Sequence, residues 1–143
     1  MITIFTTQKV FNGIFNNIQI NATRSWRRLS SELQILIFGD SEGSKQNARE
    51  VDAEYIPHIK CSPNGTPLLS DLFLQADKRA KYPILVFINA DIILPSNFLK
   101  EITMVAQHFR KFLMIGHRWD MNVVNIIDFN NEIEQKNFWD RVE

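Results

Sequence analysis

The sequence predicts an α/β fold of three layers, in which a mostly parallel sheet carries helices on both faces. Apolar runs of strand length alternate along the chain with segments whose apolar residues recur every three or four positions, which is typical of strands alternating with helices. The run Ile84–Ile88 has no polar alternation, which indicates a strand buried on both faces and central in a parallel sheet. The length of 143 residues allows one substantial core, so residues 1–143 are expected to form a single domain.

The first half of the chain supplies the first three expected strands. Residues 2–5 and 33–38 are short runs rich in β-branched, aromatic and aliphatic residues, and 53–56 is a weaker run of the same kind. Between the first two strands, roughly residues 16–29 show one apolar stripe at helical spacing. The stripe consists of Phe15, Ile18, Ala22, Trp26 and Leu29. Residues 44–51 predict a weak helix before the third strand.

The second half adds three helices and a fifth strand to the predicted pattern. Thr66 suits an N-cap and Pro67 a first helical position, so a helix is expected to begin there and to end near Ala80. After the central strand, residues 96–109 again show a helical stripe. The apolar run 112–115 predicts a further strand, and residues 132–142 predict a weak helix with few apolar anchors.

Three arginines, Arg24, Arg27 and Arg28, follow each other closely near the end of the first predicted helix. Cations are favourable at this end because the helix dipole places partial negative charge there. The arginines lie mostly off the apolar stripe, so we expect them to form a solvated face rather than a binding patch.

The composition restricts the classes of function. Sixteen basic and sixteen acidic residues give no net charge, so there is no electrostatic indication of nucleic acid or of an anionic membrane as a partner. No apolar run approaches the roughly 18 residues of a transmembrane span, and Met1–Phe5 lacks the features of a signal peptide. The single cysteine, Cys61, fits a reducing compartment, so a cytoplasmic location is expected.

Polar residues follow four of the predicted strands at their carboxyl ends, where open α/β sheets bind ligands. They are Thr6 and Thr7, Asp40 and Ser41, Asn89 and Asp91, and Arg118 and Asp120. Asp91 stands in an apolar frame, where a carboxylate is costly unless it is paired, hydrogen-bonded or bound to a metal. Two interpretations remain open from the residues alone: Asp91 and Asn89 cap the turn after the strand, or Asp91 binds Mg²⁺ or Mn²⁺ together with phosphate oxygens of a substrate.

Other common sites lack support in the sequence. Neither a Rossmann glycine motif nor a P-loop is present, and no His/Cys cluster has the spacing of a zinc site. A nucleophilic pair of Cys61 with one of the three histidines has no support from spacing either.

The acid at the end of the second strand (Phe38-Gly39-Asp40) and the segment Phe87-Ile88-Asn89-Ala90-Asp91-Ile92 resemble the nucleotide-binding half of GT-A-fold glycosyltransferases, the family-2-like group. The segment Phe112–Asp120 also resembles a bacterial subgroup of such transferases, and the resemblance spans roughly residues 2–128. It implies a GT-A sheet and a D-x-D motif whose acids bind a divalent metal that bridges the diphosphate of a nucleotide sugar.

Transferred residue by residue, the resemblance implies a nucleotide site along the loops. Thr6 and Thr7 would contact the base or ribose, and Asp40 the uracil-like edge of the base, while Asp91 would bind Mn²⁺ or Mg²⁺. The remaining expected nucleotide-binding residues are Ser41, Gly65, Pro67, Leu68, Asn89 and Ala90.

The sequence departs from the family pattern in two ways. Asn89 replaces the first acid, so the motif is N-x-D and carries one negative charge fewer at the metal. The family also continues into an acceptor-binding half, which we expect to be truncated or absent from this chain. The prediction is therefore a chain that binds the donor and transfers sugar poorly.

Asp120 and Trp119 each have two interpretations. Asp120 is either the general base that contacts the acceptor hydroxyl, our catalytic candidate, or the partner of Arg118 in a salt bridge. Trp119 is either a stacking platform for a sugar or a core aromatic, and an apolar patch beside it is where we expect a second copy or a C-terminal half to pack.

The sequence as a whole predicts a glycosyltransferase domain that binds a nucleotide-diphosphate sugar, with an unknown acceptor. Two alternatives remain: a binding module with the same site and no turnover, and a nucleotidyltransferase on a similar sheet. The second would need a glycine-rich basic loop after the first strand, where only Lys9 and Gly13 are found.

Overall fold

The structure is a computed structural model that describes residues 1–142, and these residues form an α/β fold with four strands and five helices. The strands are β1 (Thr3–Thr7), β2 (Gln34–Phe38), β3 (Glu54–Ile56) and β4 (Leu85–Phe87). The helices are α1 (Gly13–Leu29), α2 (Ser44–Glu50), α3 (Leu69–Arg79), α4 (Phe98–His108) and α5 (Glu132–Trp139). The predicted alternation of strands and helices is confirmed as far as β4 and α4.

The four described strands form one parallel sheet in the order β3-β2-β1-β4. The chain passes from β1 outward to β2 and β3, and then returns to place β4 on the other side of β1. The strand order therefore reverses between β1 and β4, and the register places Phe5 opposite both Leu36 and Phe87. Ligands of open α/β sheets bind at such a switch point, outside the carboxyl ends of the strands.

Two apolar layers cover the two faces of the sheet, as the three-layer prediction requires. On one face, Ile4, Ile35 and Val86 belong to a cluster that includes residues of α1, α2 and α4. On the other face, Phe5, Leu36 and Phe87 pack with Leu72 and Ala76 of α3. Successive residues of each strand point to opposite faces, so this division follows directly from the strand period of two.

The prediction that Ile84–Ile88 is the central strand is wrong. The strand β4 is at the edge of the described sheet, and its three residues are only half-buried. An unbroken apolar run reports that both faces of a strand are covered, here by α3 and α4, and it carries no information about whether both edges are paired.

The fifth predicted strand is also absent from the described residues. Residues 112–115 have no regular secondary structure, and Leu113 is 87% exposed. A strand exists only through pairing with a neighbour, and no other described strand lies beside this segment.

The helix boundaries differ from the predicted ones by a few residues. Helix α1 begins three residues earlier, at Gly13, and its predicted stripe faces the sheet with Ala22 and Trp26 fully buried. Helix α3 begins at Leu69, so Leu68 and not Thr66 takes the N-cap position, without a side-chain hydrogen bond.

Arg27 is not solvated as predicted but clamps three segments together. Its guanidinium donates to five carbonyl oxygens at 2.7–3.2 Å. These are the carbonyls of Ser30, Ser31, Leu33, Val51 and Asp52. Burial lowers the pKa of Arg27, and the nearby carboxylate of Asp52 partly opposes this effect. Arg24 and Arg28 are exposed, as expected.

The C-terminal segment docks on α1 through two asparagines one helical turn apart. Asn17 donates to the carbonyl of Val124, while the fully buried Asn21 donates to the carbonyl of Asn125 and accepts from the amide of Ile127, each at 2.8 Å. A small third core forms beneath this segment, around Ile127, Phe129 and Phe138, with Ile93 packed against it. The segment therefore lies against the loop that follows β4.

Across residues 1–142, none of the helices combines the length and the apolar character needed to cross a membrane.

Replacing Arg27 by methionine should lower the free energy of unfolding by about 3 kcal/mol, because several carbonyls lose a charged donor at once. The matched variant Arg28→Met, at the next position of the same helix, should change it by less than about 0.5 kcal/mol. Urea unfolding followed by circular dichroism measures both values. Equal effects of the two substitutions would contradict the clamp.

Candidate functional site

The candidate site lies at the carboxyl edge of the sheet, beside the switch point between β1 and β4. Extending the register of Phe5 with Phe87 by two residues places Asn89 level with Thr7. On the other side, Thr7 is paired with Phe38, so Asp40 follows two residues beyond that level. Neighbouring strands are about 4.8 Å apart, so the tips of β2, β1 and β4 span on the order of 10 Å.

The loop after β4 presents Asp91 and Asn89 without using their side chains. The amide of Ile92 donates to the carbonyl of Asn89 at 3.2 Å, so the backbone itself closes the turn. Both side chains are exposed, and within residues 1–142 neither makes a hydrogen bond. The interpretation that these two side chains cap the turn therefore has no support in the structure.

The same loop is fixed from behind by α1. The indole of Trp26 donates to the carbonyl of Ile92 at 2.8 Å, and the amide of Leu94 donates to the hydroxyl of Ser25 at 3.0 Å. Ala90 is buried, so its contribution to a ligand site would be through its backbone. The loop thus holds Asp91 outward on a rigid support, which is what a preorganised ligand contact requires.

The two threonines of β1 are not equivalent. Thr6 is fully buried, and its hydroxyl donates to the carbonyl of Thr7 at 3.3 Å, so it does not reach a ligand in this conformation. Thr7 is half-buried and lies beside Gly39, where an added Cβ would approach its hydroxyl oxygen to 3.4 Å. Thr7 is therefore the accessible member of the predicted pair.

Asp40 has a partner that the sequence did not indicate. The hydroxyl of Tyr55 on β3 donates to the carboxylate of Asp40 at 2.6 Å. This hydrogen bond is the main reason that the pKa of Tyr55 is raised, because it stabilises the protonated phenol, and burial adds to it. Asp40 is exposed, so its second carboxylate oxygen is available to accept from a ligand.

The loops after β1 and β2 fasten each other. The hydroxyl of Ser41 donates to the carbonyl of Gln8 at 2.8 Å, and the amide of Phe11 donates to the carbonyl of Glu42 at 3.0 Å. Gly43 has a φ of +91°, and a Cβ there would lie 2.6 Å from the Cβ of Phe11, so only glycine fits. The hydroxyl proton of Ser41 is thus used in a structural contact, and its oxygen keeps its capacity to accept.

A buried chain of uncharged polar groups lies below these loops, and it was missed by the sequence analysis. The amide of Gln8 donates to Asn47 at 2.7 Å, Asn47 donates to Thr23 at 3.1 Å, and Thr23 donates to the carbonyl of Gln19 at 2.9 Å. Gln19 in turn bonds both backbone groups of Lys9. Its only sequence signal was the pair Gln19 and Thr23, which directly follow Ile18 and Ala22 of the apolar stripe of α1. Gln8 Oε1 and Ser44 Oγ remain buried without a partner among the described atoms.

The loop after β3 forms a compact turn that carries three of the predicted nucleotide-binding residues. Cys61 and Pro67 pair as an isolated bridge, and the amide of Leu68 donates to the carbonyl of Lys60 at 2.8 Å. Gly65 adopts a φ of +79°, which side chains other than hydrogen rarely tolerate. Leu68 and Gly65 are exposed and Pro67 is half-buried, so the turn can border a ligand through its surface.

Asp71 ties this loop to α3. Its carboxylate accepts from the amide of Lys60 at 2.9 Å and from the side chain of Gln75 at 2.8 Å. These two hydrogen bonds hold the pKa of Asp71 below its usual value, although burial acts in the opposite direction. The sequence analysis did not single out this residue.

Asp120 forms the salt bridge that one interpretation predicted, with Arg118 Nε 3.1 Å from its carboxylate oxygen. Both side chains are more than half exposed, and the strand expected to place them at the carboxyl edge is absent from the described residues. Trp119 is 80% exposed, so the interpretation as a core aromatic is wrong.

No group of three or more His, Cys, Asp or Glu side chains that could hold a metal occurs within residues 1–142. Asp91 offers one free carboxylate, and Asn89 an amide oxygen on the same turn. These hard oxygen ligands fit Mg²⁺ or Mn²⁺ when phosphates and water supply the remaining ligands, and they do not make a site for a bare ion.

A cavity of about 250 Å³ lies elsewhere, between α1 and the C-terminal segment. It is lined by Ser25, Arg28, Leu29, Leu94, Ser96, Phe129, Gln135 and Trp139. None of the predicted nucleotide-binding residues takes part in it, so we do not assign it to the candidate site.

No family model matches the chain, and no curated protein is significantly similar to it. The resemblance of the N-x-D segment to glycosyltransferases therefore stays a hypothesis.

The low pKa of Asp71 gives a pH-dependent prediction. Its folded-state pKa lies below the unfolded value of about 3.9, so the carboxylate stabilises the fold fully above roughly pH 5. This contribution disappears as the pH falls through the folded-state pKa. Asp71→Asn should therefore be less stable than the wild type at pH 7 and approach it at acid pH, as measured by urea unfolding.

Asp77→Asn is the matched control, since Asp77 is exposed on the same helix. Its stability should follow that of the wild type at both pH values. A pH-independent deficit of Asp71→Asn would show that the carboxylate charge is not what holds the loop.

Proposed function

We propose that this domain binds a nucleoside-diphosphate sugar at the edge formed by the loops after β1, β2 and β4, and acts as the donor-binding part of a metal-dependent glycosyltransferase. The single observation that carries the proposal is the position of Asp91. It is an exposed carboxylate with no protein partner among the described residues, on a rigid loop at the switch point of a parallel sheet.

Each accessible residue has a role that its geometry permits. Asp91 would hold a divalent cation with help from the amide oxygen of Asn89. A bound cation neutralises the charge that develops on the leaving diphosphate. Thr7 would donate to or accept from the ribose, since it ends β1, the neighbour of β4, at the same edge of the sheet as Asn89 and is only half-buried.

Asp40 would read the base. Its free oxygen can accept from an imide N–H, which uracil has and adenine lacks at the corresponding position. Tyr55 holds the carboxylate in place by its 2.6 Å hydrogen bond, so Asp40 is oriented before any ligand binds. We therefore propose a uridine-type donor.

A binding module without turnover is the second candidate, and one observation favours it. Asp120, the predicted general base, is engaged with Arg118 in a segment of irregular structure instead of being free to face an acceptor. In this case the donor binds and the transfer step requires groups from elsewhere. We propose a cytoplasmic location for either activity, since the only cysteine is an exposed free thiol.

Thermal unfolding tests the metal site. Mn²⁺ and UDP together should raise the Tm of the wild type by several degrees, since ligand at about 100 times its Kd stabilises by roughly 2.7 kcal/mol. Mn²⁺ alone should have little effect, because only one carboxylate is available. Asp91→Asn should lose most of the shift, and the control Asp77→Asn should keep it.

A charge-adding variant sharpens this test. In Asn89→Asp a second carboxylate joins the first, so Mn²⁺ alone should now stabilise the protein. An equal shift with Mn²⁺ and UDP in the wild type and in Asp91→Asn would refute the site.

Calorimetric titration tests the role of Asp40. The wild type should bind UDP more tightly than ADP in the presence of Mn²⁺. Asp40→Asn should reduce the preference about tenfold, the value of one charged hydrogen bond. Tyr55→Phe keeps the carboxylate and should retain most of the preference with a several-fold loss of affinity. Equal affinities of the wild type for UDP and ADP would rule out this role.

A further inference from the structure

Residues 107–120 form one continuous stretch in which every residue is exposed. We call this stretch the exposed segment. It carries six large apolar side chains: Phe109, Phe112, Leu113, Met114, Ile115 and Trp119. Single exposed apolar residues are ordinary, but so many in one stretch indicate a surface that another molecule covers.

The edge of the sheet at β4 is open as well. The carbonyl of Ile84 and the amide of Ile88 bond to β1, so the alternate backbone groups, those of Leu85 and Phe87, point to the other side. Within residues 1–142 no backbone hydrogen bond reaches β4 from that side. An edge with free N–H and C=O groups is a template for a further strand.

The side chains beside this edge are apolar. Phe73 of α3 is 48% exposed and contacts Phe5 and Phe87, with ring centroids 4.9 and 5.5 Å away. An added strand next to β4 would cover this aromatic group with one of its faces. The edge therefore offers both backbone partners and an apolar surface.

The exposed segment has the composition of the missing strand. Phe112–Ile115 is aromatic, aliphatic and β-branched, with neither glycine nor proline inside it. A lipid surface would cover its side chains, but lipid offers no partner for the backbone groups of β4. A second strand satisfies both requirements, so the observations favour a protein partner over a membrane.

We propose that two copies of this chain associate by exchange, with Phe112–Ile115 of each copy pairing along the open edge of β4 in the other. Each copy carries both the strand and the edge, so the contact is self-complementary and closes with two-fold symmetry. This inference does not depend on the proposed nucleotide site.

The area available is sufficient for such a dimer. The six side chains expose on the order of 800 Å² together, if a large side chain offers roughly 150–250 Å² when free. A stable interface buries about 800 Å² on each partner. The exposed segment alone therefore meets this value, before the contribution of Phe73 and the edge.

The pairing would also affect the candidate site. Asn89 and Asp91 directly follow β4, so a strand added to that edge lies beside them. The tip of the added strand would then form one wall of the candidate site, on the side of β4 that no other described strand covers.

Sedimentation equilibrium and amide hydrogen exchange of the whole chain test the proposal together. The wild type should reach twice the mass of one chain as its concentration rises from micromolar to millimolar. In the same range, exchange at the amides of Leu85 and Phe87 should slow by at least about tenfold. The double variant Leu113→Lys/Ile115→Lys should remain monomeric and exchange fast at both positions.

The matched control is Ile133→Lys, a substitution of an equally exposed apolar residue on α5. It should dimerise like the wild type. The substituted side chains are exposed in one copy, so the Tm of the dilute proteins should be unchanged, which separates loss of association from loss of folding.

Three outcomes would overturn the proposal. The first is a wild type that stays monomeric with fast exchange at β4, and the second is a monomer with slow exchange, which would mean pairing within one chain. The third is a monomer that binds phosphatidylserine vesicles and loses this binding in the double variant, which would assign the exposed segment to a membrane surface.

Discussion

The parallel pairing of β1 with β2 on one side and with β4 on the other is the constraint on which the rest of the structure depends. It buries β1 on both faces and both edges, as the full burial of Ile4 and Phe5 shows. It also brings the loop ends of three strands to one edge within about 10 Å. A one-residue shift of register would move Ile4 to the side of α3 and Phe5 to the side of α1. It would also place a residue next to Asn89 in sequence, and not Asn89 itself, at the level of Thr7.

Uncharged side chains and one arginine hold the loops on this frame. Gln8 and Asn47 connect the end of β1 to α2 by a hydrogen bond, and Asn21 forms hydrogen bonds with the C-terminal segment. Arg27 donates to carbonyls just beyond the ends of α1 and α2. Buried backbone groups must find partners, and here side chains of α1 supply them where no strand or helix does. Since the loops are fixed by these inner contacts, the carboxylate of Asp91 is not used in holding the fold, and Asp40 keeps one oxygen free beside its hydrogen bond from Tyr55.

The sequence predicted what depends on local pattern and missed what depends on partners. The apolar runs and the stripe of α1 located the strands and helices because burial on a given face follows from residue spacing. The position of β4, at the edge or in the centre of the sheet, could not be predicted from the sequence. Helices on both faces of the sheet produce the same apolar run in either position. The bond from Tyr55 to Asp40 and the clamp of Arg27 join positions through geometry that only the folded chain defines, whereas the salt bridge of Asp120 with Arg118 was one of the two interpretations that the sequence offered. Strand propensity alone likewise predicted a strand at residues 112–115. These residues have no neighbouring strand in the described part of the chain.

The single carboxylate of the N-x-D motif has a consequence for the proposed order of binding. A divalent cation on Asp91 alone keeps one formal positive charge, whereas two carboxylates would leave none. In the proposed site a bare ion would be held weakly, because the protein supplies only one negative charge. For the same reason the loaded ion would attract a diphosphate strongly. With Asn and not Asp at position 89, the proposed site would therefore bind the metal alone less tightly, and the binding of metal and nucleotide would be more strongly coupled. On this proposal the two ligands should bind as a unit, and the exposed carboxylate of Asp91, which has no partner among the described residues, is the form that such a site would take before they bind.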